Sequence, residues 1–124
     1  MAITTSAITS SFKRQLLAGD HDIAASGDTL KLTLYTDSSV IGPGLASYTT
    51  SGEVGNSGDY TAGGKTLAGQ TTSLSGTTAI ADFTDLSYLT ATISAMGALI
   101  YNSSKTNKSI AVLDFSTVKT STAG

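Results

Sequence analysis

The 124-residue chain has no cysteine and no tryptophan, one histidine, one proline and few charges. Without cysteine it can form no disulfide framework, no Cys-ligated zinc centre and no thiol nucleophile. A single histidine leaves no multi-His metal site within one chain. Charged residues are 13% of the chain, against roughly 25% in ordinary globular domains. Seven Lys plus Arg against nine Asp plus Glu give a formal charge of −2, without the basic excess on which nonspecific nucleic-acid binding rests. The longest apolar run, Ala95–Tyr101, is far short of a bilayer span. The first residues, MAITTSAITSSF, lack the charged start and apolar core of a signal peptide. These absences predict a soluble, non-exported chain with no membrane span, no nucleic-acid partner, no metal and no cofactor.

What fills the gap is hydroxyl and glycine: 18 Ser, 21 Thr and 13 Gly. The length suits one domain, residues 1–124. From about Ser6 to Ala18, Ile8, Phe12 and Leu16 recur every four residues, which predicts one amphipathic helix capped by Thr5 or Ser6 and stopped by Gly19. From about residue 30 the period changes to two. Leu30, Leu32 and Leu34 alternate with Lys31, Thr33 and Tyr35 as a half-buried strand, followed by a loop over Asp37–Gly44. Further strands are predicted at Leu45–Thr50, Lys65–Leu74, Thr77–Phe83 and Leu89–Ala95. The last of these runs on past a bulge or bend at Gly97, and Ser109–Phe115 follows across a polar turn. The pattern predicts a mainly β fold: a single-domain antiparallel β-sandwich with one N-terminal amphipathic helix.

The motifs that carry chemistry are weak. Gly58–Thr66 ends in the GKT of a phosphate-binding loop, but the required first glycine position is Asp59, whose charge opposes phosphate. Asp20, His21 and Asp22 lack the further oxygen ligands of a calcium loop, and Ile23, Ala24 and Ala25 follow instead. No G-x-S-x-G elbow supports a hydrolytic triad, and Asp82 with Asp85 is explained by the end of a strand. Asn102 and Asn107 open glycosylation-type triplets in a polar turn that generates them by chance. No catalytic residue is assigned.

Five of the eight aromatics are tyrosines, at 35, 48, 60, 88 and 101. Tyr48 and Tyr60 lie in the glycine-punctuated stretch 42–64, whose only charges are Glu53 and Asp59. A tyrosine buries area while keeping a polar tip. Tyr48, Glu53 and Tyr60 are therefore the candidate partner contacts. The stretch is expected to order on a partner, so that Tyr60→Ala weakens binding while sparing the fold.

The segments SFKRQLLAGDHD (Ser11–Asp22), LKLTLYT (Leu30–Thr36), SYTTSGEV (Ser47–Val54), YTAGGKTL (Tyr60–Leu67), ALIYN (Ala98–Asn102) and AVLDF (Ala111–Phe115) follow one another along the chain. In this order they resemble a family of small structural proteins of tailed-bacteriophage virions, many from marine and cyanobacterial phages. Phe12, Leu16, Leu17 and Gly19 look like that family's helix pattern, and Gly63 with Gly64 like its turn. The resemblance implies a non-enzymatic virion component present in many copies. A decoration or cement protein on the capsid exterior, bridging major capsid protein subunits, is the first expectation. The alternatives are a tail, neck or fibre component, or a carbohydrate-binding module of the virion. Members of that family commonly continue past the position of Gly124 into another strand, and this sequence departs from them there, at KTSTAG.

Overall fold

The computed structural model describes residues 6–36 and 40–123. The fold is mainly β and antiparallel, with one short helix, as the periodicities predict. Its main sheet has five strands in the order β1-β7-β6-β2-β3, and a separate two-stranded sheet pairs β4 with β5. In chain order these are β1 (Ala7–Ile8), helix α1 (Ser10–Leu17), β2 (Leu30–Tyr35), β3 (Lys65–Thr66), β4 (Thr71–Ser75), β5 (Thr78–Asp82), β6 (Ile93–Asn102) and β7 (Lys108–Ser121).

The helix is shorter than its apolar spacing predicts. Ala7 and Ile8 are drawn into the sheet opposite Val112 and Ala111, and Thr9 becomes the cap residue. The Thr9 hydroxyl turns away from the helix to the Ile110 carbonyl, 3.2 Å away, so the cap is tied to β7 rather than to its own first turn. Ser6 precedes β1, and Thr5, the alternative cap, lies outside the described residues. Gly19 ends the helix as predicted, in the left-handed conformation at φ +77°.

Only part of the predicted apolar stripe is covered. Phe12 is 5% exposed, while Ile8 is 49%, Leu16 46% and Leu17 92% exposed. The second buried helix residue is Gln15. Leu17→Ala is accordingly expected to change stability by less than about 0.5 kcal/mol, which a urea titration of the two proteins checks.

Three apolar clusters hold the sheet. Tyr35, Leu99, Tyr101 and Val112 pack with Ile41, joined by Leu45 and Tyr48. Val54, Tyr60, Ala91, Ile93 and Ala95 form the second, joined by Leu34, Tyr88 and Phe115. Phe12, Leu30, Leu67 and Ile110 form the third, joined by Ile23, Phe83 and Leu86. Strand β2 supplies Tyr35 to the first cluster and its leucines to the other two, so it is covered on both faces rather than half-buried. The covering layer is largely irregular chain and the helix.

Several predicted strands are differently placed. Leu45–Thr50 is not a strand; it touches the sheet through a lone bridge, Ser47 to Lys108. Lys65–Leu74 is split. After Thr66 the chain leaves the sheet, and the base of the excursion is closed by the Thr84 N–H, which donates to the Ala68 carbonyl at 2.8 Å. Gln70 anchors that exit, its amide donating to the carbonyls of Ala24 (2.7 Å) and Asp28 (3.1 Å). Strand β6 begins at Ile93 rather than Leu89, because Thr90 takes a left-handed φ of +53° that breaks the extended chain. The register of β6 and β7 shifts between Ala95 and Gly97, where Gly97 was predicted to mark a bulge. The extra residues are in β7, around Ser116 at φ +65°. Of the predicted loop Asp37–Gly44, residues 37–39 lie outside the described residues.

Candidate functional site

The three candidate contact residues converge, and Glu53 is the centre. A bridge to Tyr35 places Glu53 beside the end of β2, continued by the bond from Val54 N–H to the Leu34 carbonyl at 2.9 Å. The carboxylate accepts from the Tyr48 hydroxyl at 2.5 Å and the Tyr60 hydroxyl at 2.6 Å. The Gly63 N–H adds a third bond at 2.7 Å. Charge-assisted bonds of this kind are short and strong.

The other three tyrosines complete the arrangement. Tyr101 stacks on Tyr48, ring centroids 4.8 Å apart, and donates to the Gly63 carbonyl at 2.6 Å. Tyr88 meets Tyr60 edge-on at 5.0 Å and donates to the Leu32 carbonyl at 2.8 Å. Tyr35 donates to the Thr49 carbonyl at 2.7 Å. The Tyr60 hydroxyl also accepts from the Leu34 N–H at 3.1 Å, taking a place in the ladder of β2. Burial, and then the adjoining Glu53 carboxylate, push the Tyr60 and Tyr48 phenols well above their ordinary value. Burial pushes Tyr35 and Tyr88 up to about 12. All stay neutral donors near pH 7.

This geometry corrects the expectation for Tyr60. At 1% exposure its side chain is part of the core and offers no surface to a partner. Tyr48 and Glu53 keep partial exposure. The stretch 42–64 was expected to need a partner for order, because glycine-rich chain is costly to fix. Bonds within the chain supply that order: the tyrosine hydroxyls and Glu53 satisfy the backbone that the glycines expose. Sequence reasoning picked out Tyr48, Glu53 and Tyr60 but not their partners Tyr35, Tyr88 and Tyr101. The disproportion of tyrosine among the aromatics was the available signal.

The other motifs resolve into local structure. Lys65 of the GKT is paired with Asp59 and bonds the Ser87 carbonyl at 2.8 Å. Asp20 pairs with Lys108 at 3.3 Å, and the Asp22 carboxylate accepts from Ala24 N–H at 3.0 Å. Asp82 accepts from Phe83 N–H at 2.8 Å. Asn102 is fully buried and Asn107 exposed in the turn. Among the described residues no group of three or more His, Asp or Glu side chains is placed to hold a metal ion. Among them, too, no helix is long and apolar enough to cross a membrane.

One feature had no strong sequence signal. Every residue of β4 and β5 is exposed, Leu74 to 75% and Ile80 to 39%. No strand of the described chain lies beside either outer edge. Between this hairpin and α1 runs an apolar groove of about 410 Å³, lined by Ile8, Phe12, Leu16, Ile23 and Ile80 among others. Comparisons with protein-family models, with curated proteins and with solved structures give no match for the chain.

Proposed function

We propose that the chain is a non-enzymatic structural subunit of a tailed-phage particle, a decoration or cement protein that bridges major capsid protein subunits. The observation that carries this reading is the β4–β5 hairpin. A two-stranded hairpin exposed on both faces is marginal in water on its own, and open strand edges invite pairing with another chain. Its twelve residues from Thr71 to Asp82 carry one charge, Asp82, so little charge must be desolvated when a neighbour covers it. The family resemblance of the sequence supports the same reading. The stacking surfaces that a carbohydrate-binding module would use are taken up internally, since Tyr48 lies on Tyr101 and Tyr60 against Tyr88.

Quantitative mass spectrometry of purified particles, with a cryo-electron-microscopy map, tests the reading. The expected result is a copy number comparable with that of the major capsid protein and density for the chain on the capsid exterior. A handful of copies confined to the tail or neck would replace the decoration role with the tail alternative. Absence from purified particles would reject a virion role altogether.

A further inference from the structure

We infer that His21, Asn102 and Asp28 form an acid-released latch that fastens the α1–β2 connection to the end of β6. His21 and Asp28 both lie in the α1–β2 connection, and Asn102 reaches them from the distant end of β6. Asn102 is fully buried. Its side-chain oxygen accepts from the Ser104 N–H at 3.0 Å. Its amide nitrogen donates to Asp28 Oδ2 at 2.7 Å and lies 2.9 Å from His21 Nδ1. Turning the amide over would set its oxygen against the Asp28 carboxylate and its NH2 against the Ser104 N–H. The orientation is therefore fixed by its neighbours.

With an amide donor facing it, Nδ1 of His21 must accept. The ring proton then sits on Nε2, which donates to Gln15 Oε1 at 2.8 Å. This explains why a glutamine occupies a buried position of α1, only 6% exposed. Phe12 packs on the imidazole at a centroid distance of 4.8 Å. Both ring nitrogens are thus used, and only by the neutral ring. A second proton would put an Nδ1–H against the Asn102 NH2, donor against donor.

The surrounding charges are mixed. Burial and Lys108 disfavour the imidazolium, Asp28 and Asp20 favour it, and Lys105 disfavours it; the net result is a pKa below the ordinary 6.5. The folded chain therefore binds the proton less readily than the unfolded one. The stability the latch contributes is complete above pH 6.5 and is lost as the pH falls through the lowered value of the folded chain. Asp28 is coupled to the imidazole through their charges. Burial works to raise its pKa, but the bonds from Asn102 and the Asp22 N–H, with Lys105 and His21 nearby, hold it below 3.8. Release of the latch loosens the segment 20–28 and the end of α1 from β6 while leaving the sheet paired, with the Gln70 bonds to the Ala24 and Asp28 carbonyls as a remaining tether. His21, Ile23 and Phe12 also line the apolar groove, so the groove loses part of its wall at the same time.

The chain's one histidine makes the test unambiguous, because the imidazole signals in a nitrogen–proton NMR spectrum belong to His21 alone. The expected result is an Nε2–H tautomer at neutral pH and a titration midpoint below 6.5. Across that midpoint, amide protection should fall over residues 15–28 and 102–105 and be kept in β2 and the middle of β6. His21→Gln, which cannot be charged, should abolish this pH-dependent loss. An Nδ1–H tautomer, a midpoint at or above 6.5, or protection at 20–28 that does not change with the imidazole signal would overturn the latch. So would an unchanged transition in His21→Gln. If that variant fails to fold, the wild-type titration decides alone.

Discussion

Tyr60→Ala is expected to destabilise the protein by about 3–5 kcal/mol, the cost of removing a fully buried aromatic. The ring is 1% exposed and packs with Val54, Ala91, Ile93 and Ala95. Its removal also deprives Glu53 of a donor and the Leu34 N–H of its acceptor. Tyr60→Phe separates the two contributions. It keeps the ring but leaves the half-buried carboxylate and a strand N–H without that partner, a loss of about 1–3 kcal/mol. Urea denaturation of the three proteins should rank Ala below Phe below wild type. A loss below about 1 kcal/mol for Ala would mean that Tyr60 is not the anchor of the 42–64 segment. This expectation reverses the one drawn from sequence, in which Tyr60 served a partner and the fold was indifferent to it.

The reason for that reversal is physical. Tyrosine in irregular, glycine-rich chain reads as a surface residue when only local pattern is visible. The partners that bury it come from β2, from the segment before β6 and from β6 itself, and no local period encodes them. Where a period does encode burial, the reading is close. The leucines of β2 line the inner clusters, and Gly19 stops the helix as expected. The opposite face of β2 looked free because it carries Lys31, Thr33 and Tyr35. Thr33 is nevertheless fully buried, its hydroxyl donating to the Leu99 carbonyl at 3.3 Å.

The hairpin shows the converse failure. Ala79 and Ala81 alternate with polar and larger neighbours as in a half-buried strand, yet the whole of β5 is exposed. Alternation records which residues share a face, not whether anything covers that face. The latch around His21 escaped for a third reason. Asn102 is far in sequence from His21 and Asp28, and none of the three is unusual for its local setting. Only the buried amide of Asn102, with its orientation fixed, gives the histidine a definite protonation state.

Gly64→Ala is expected to cost about 2–5 kcal/mol, combining about 1–2 for a left-handed L residue with about 1–3 for overpacking. Gly64 has φ +84°, and a Cβ built there would lie 2.1 Å from the Leu32 carbonyl oxygen. The obstacle is the backbone of β2, which pairs at that point with Lys65 of β3. It cannot swing aside as a long side chain would. Any retreat of residue 64 also moves Gly63, whose N–H serves Glu53 and whose carbonyl receives Tyr101. The clash is therefore transmitted to the tyrosine arrangement. Gly76→Ala supplies the control, because Gly76 is left-handed too, at φ +61°, with nothing within 4 Å of the added carbon. That variant should lose only the conformational part, about 1–2 kcal/mol, from a hairpin that stands apart from the core. Equal losses at the two positions, read from thermal and urea unfolding, would show that conformation alone matters. A clearly larger loss at Gly64 is the expected outcome, because there the chain passes too close to β2 for any side chain.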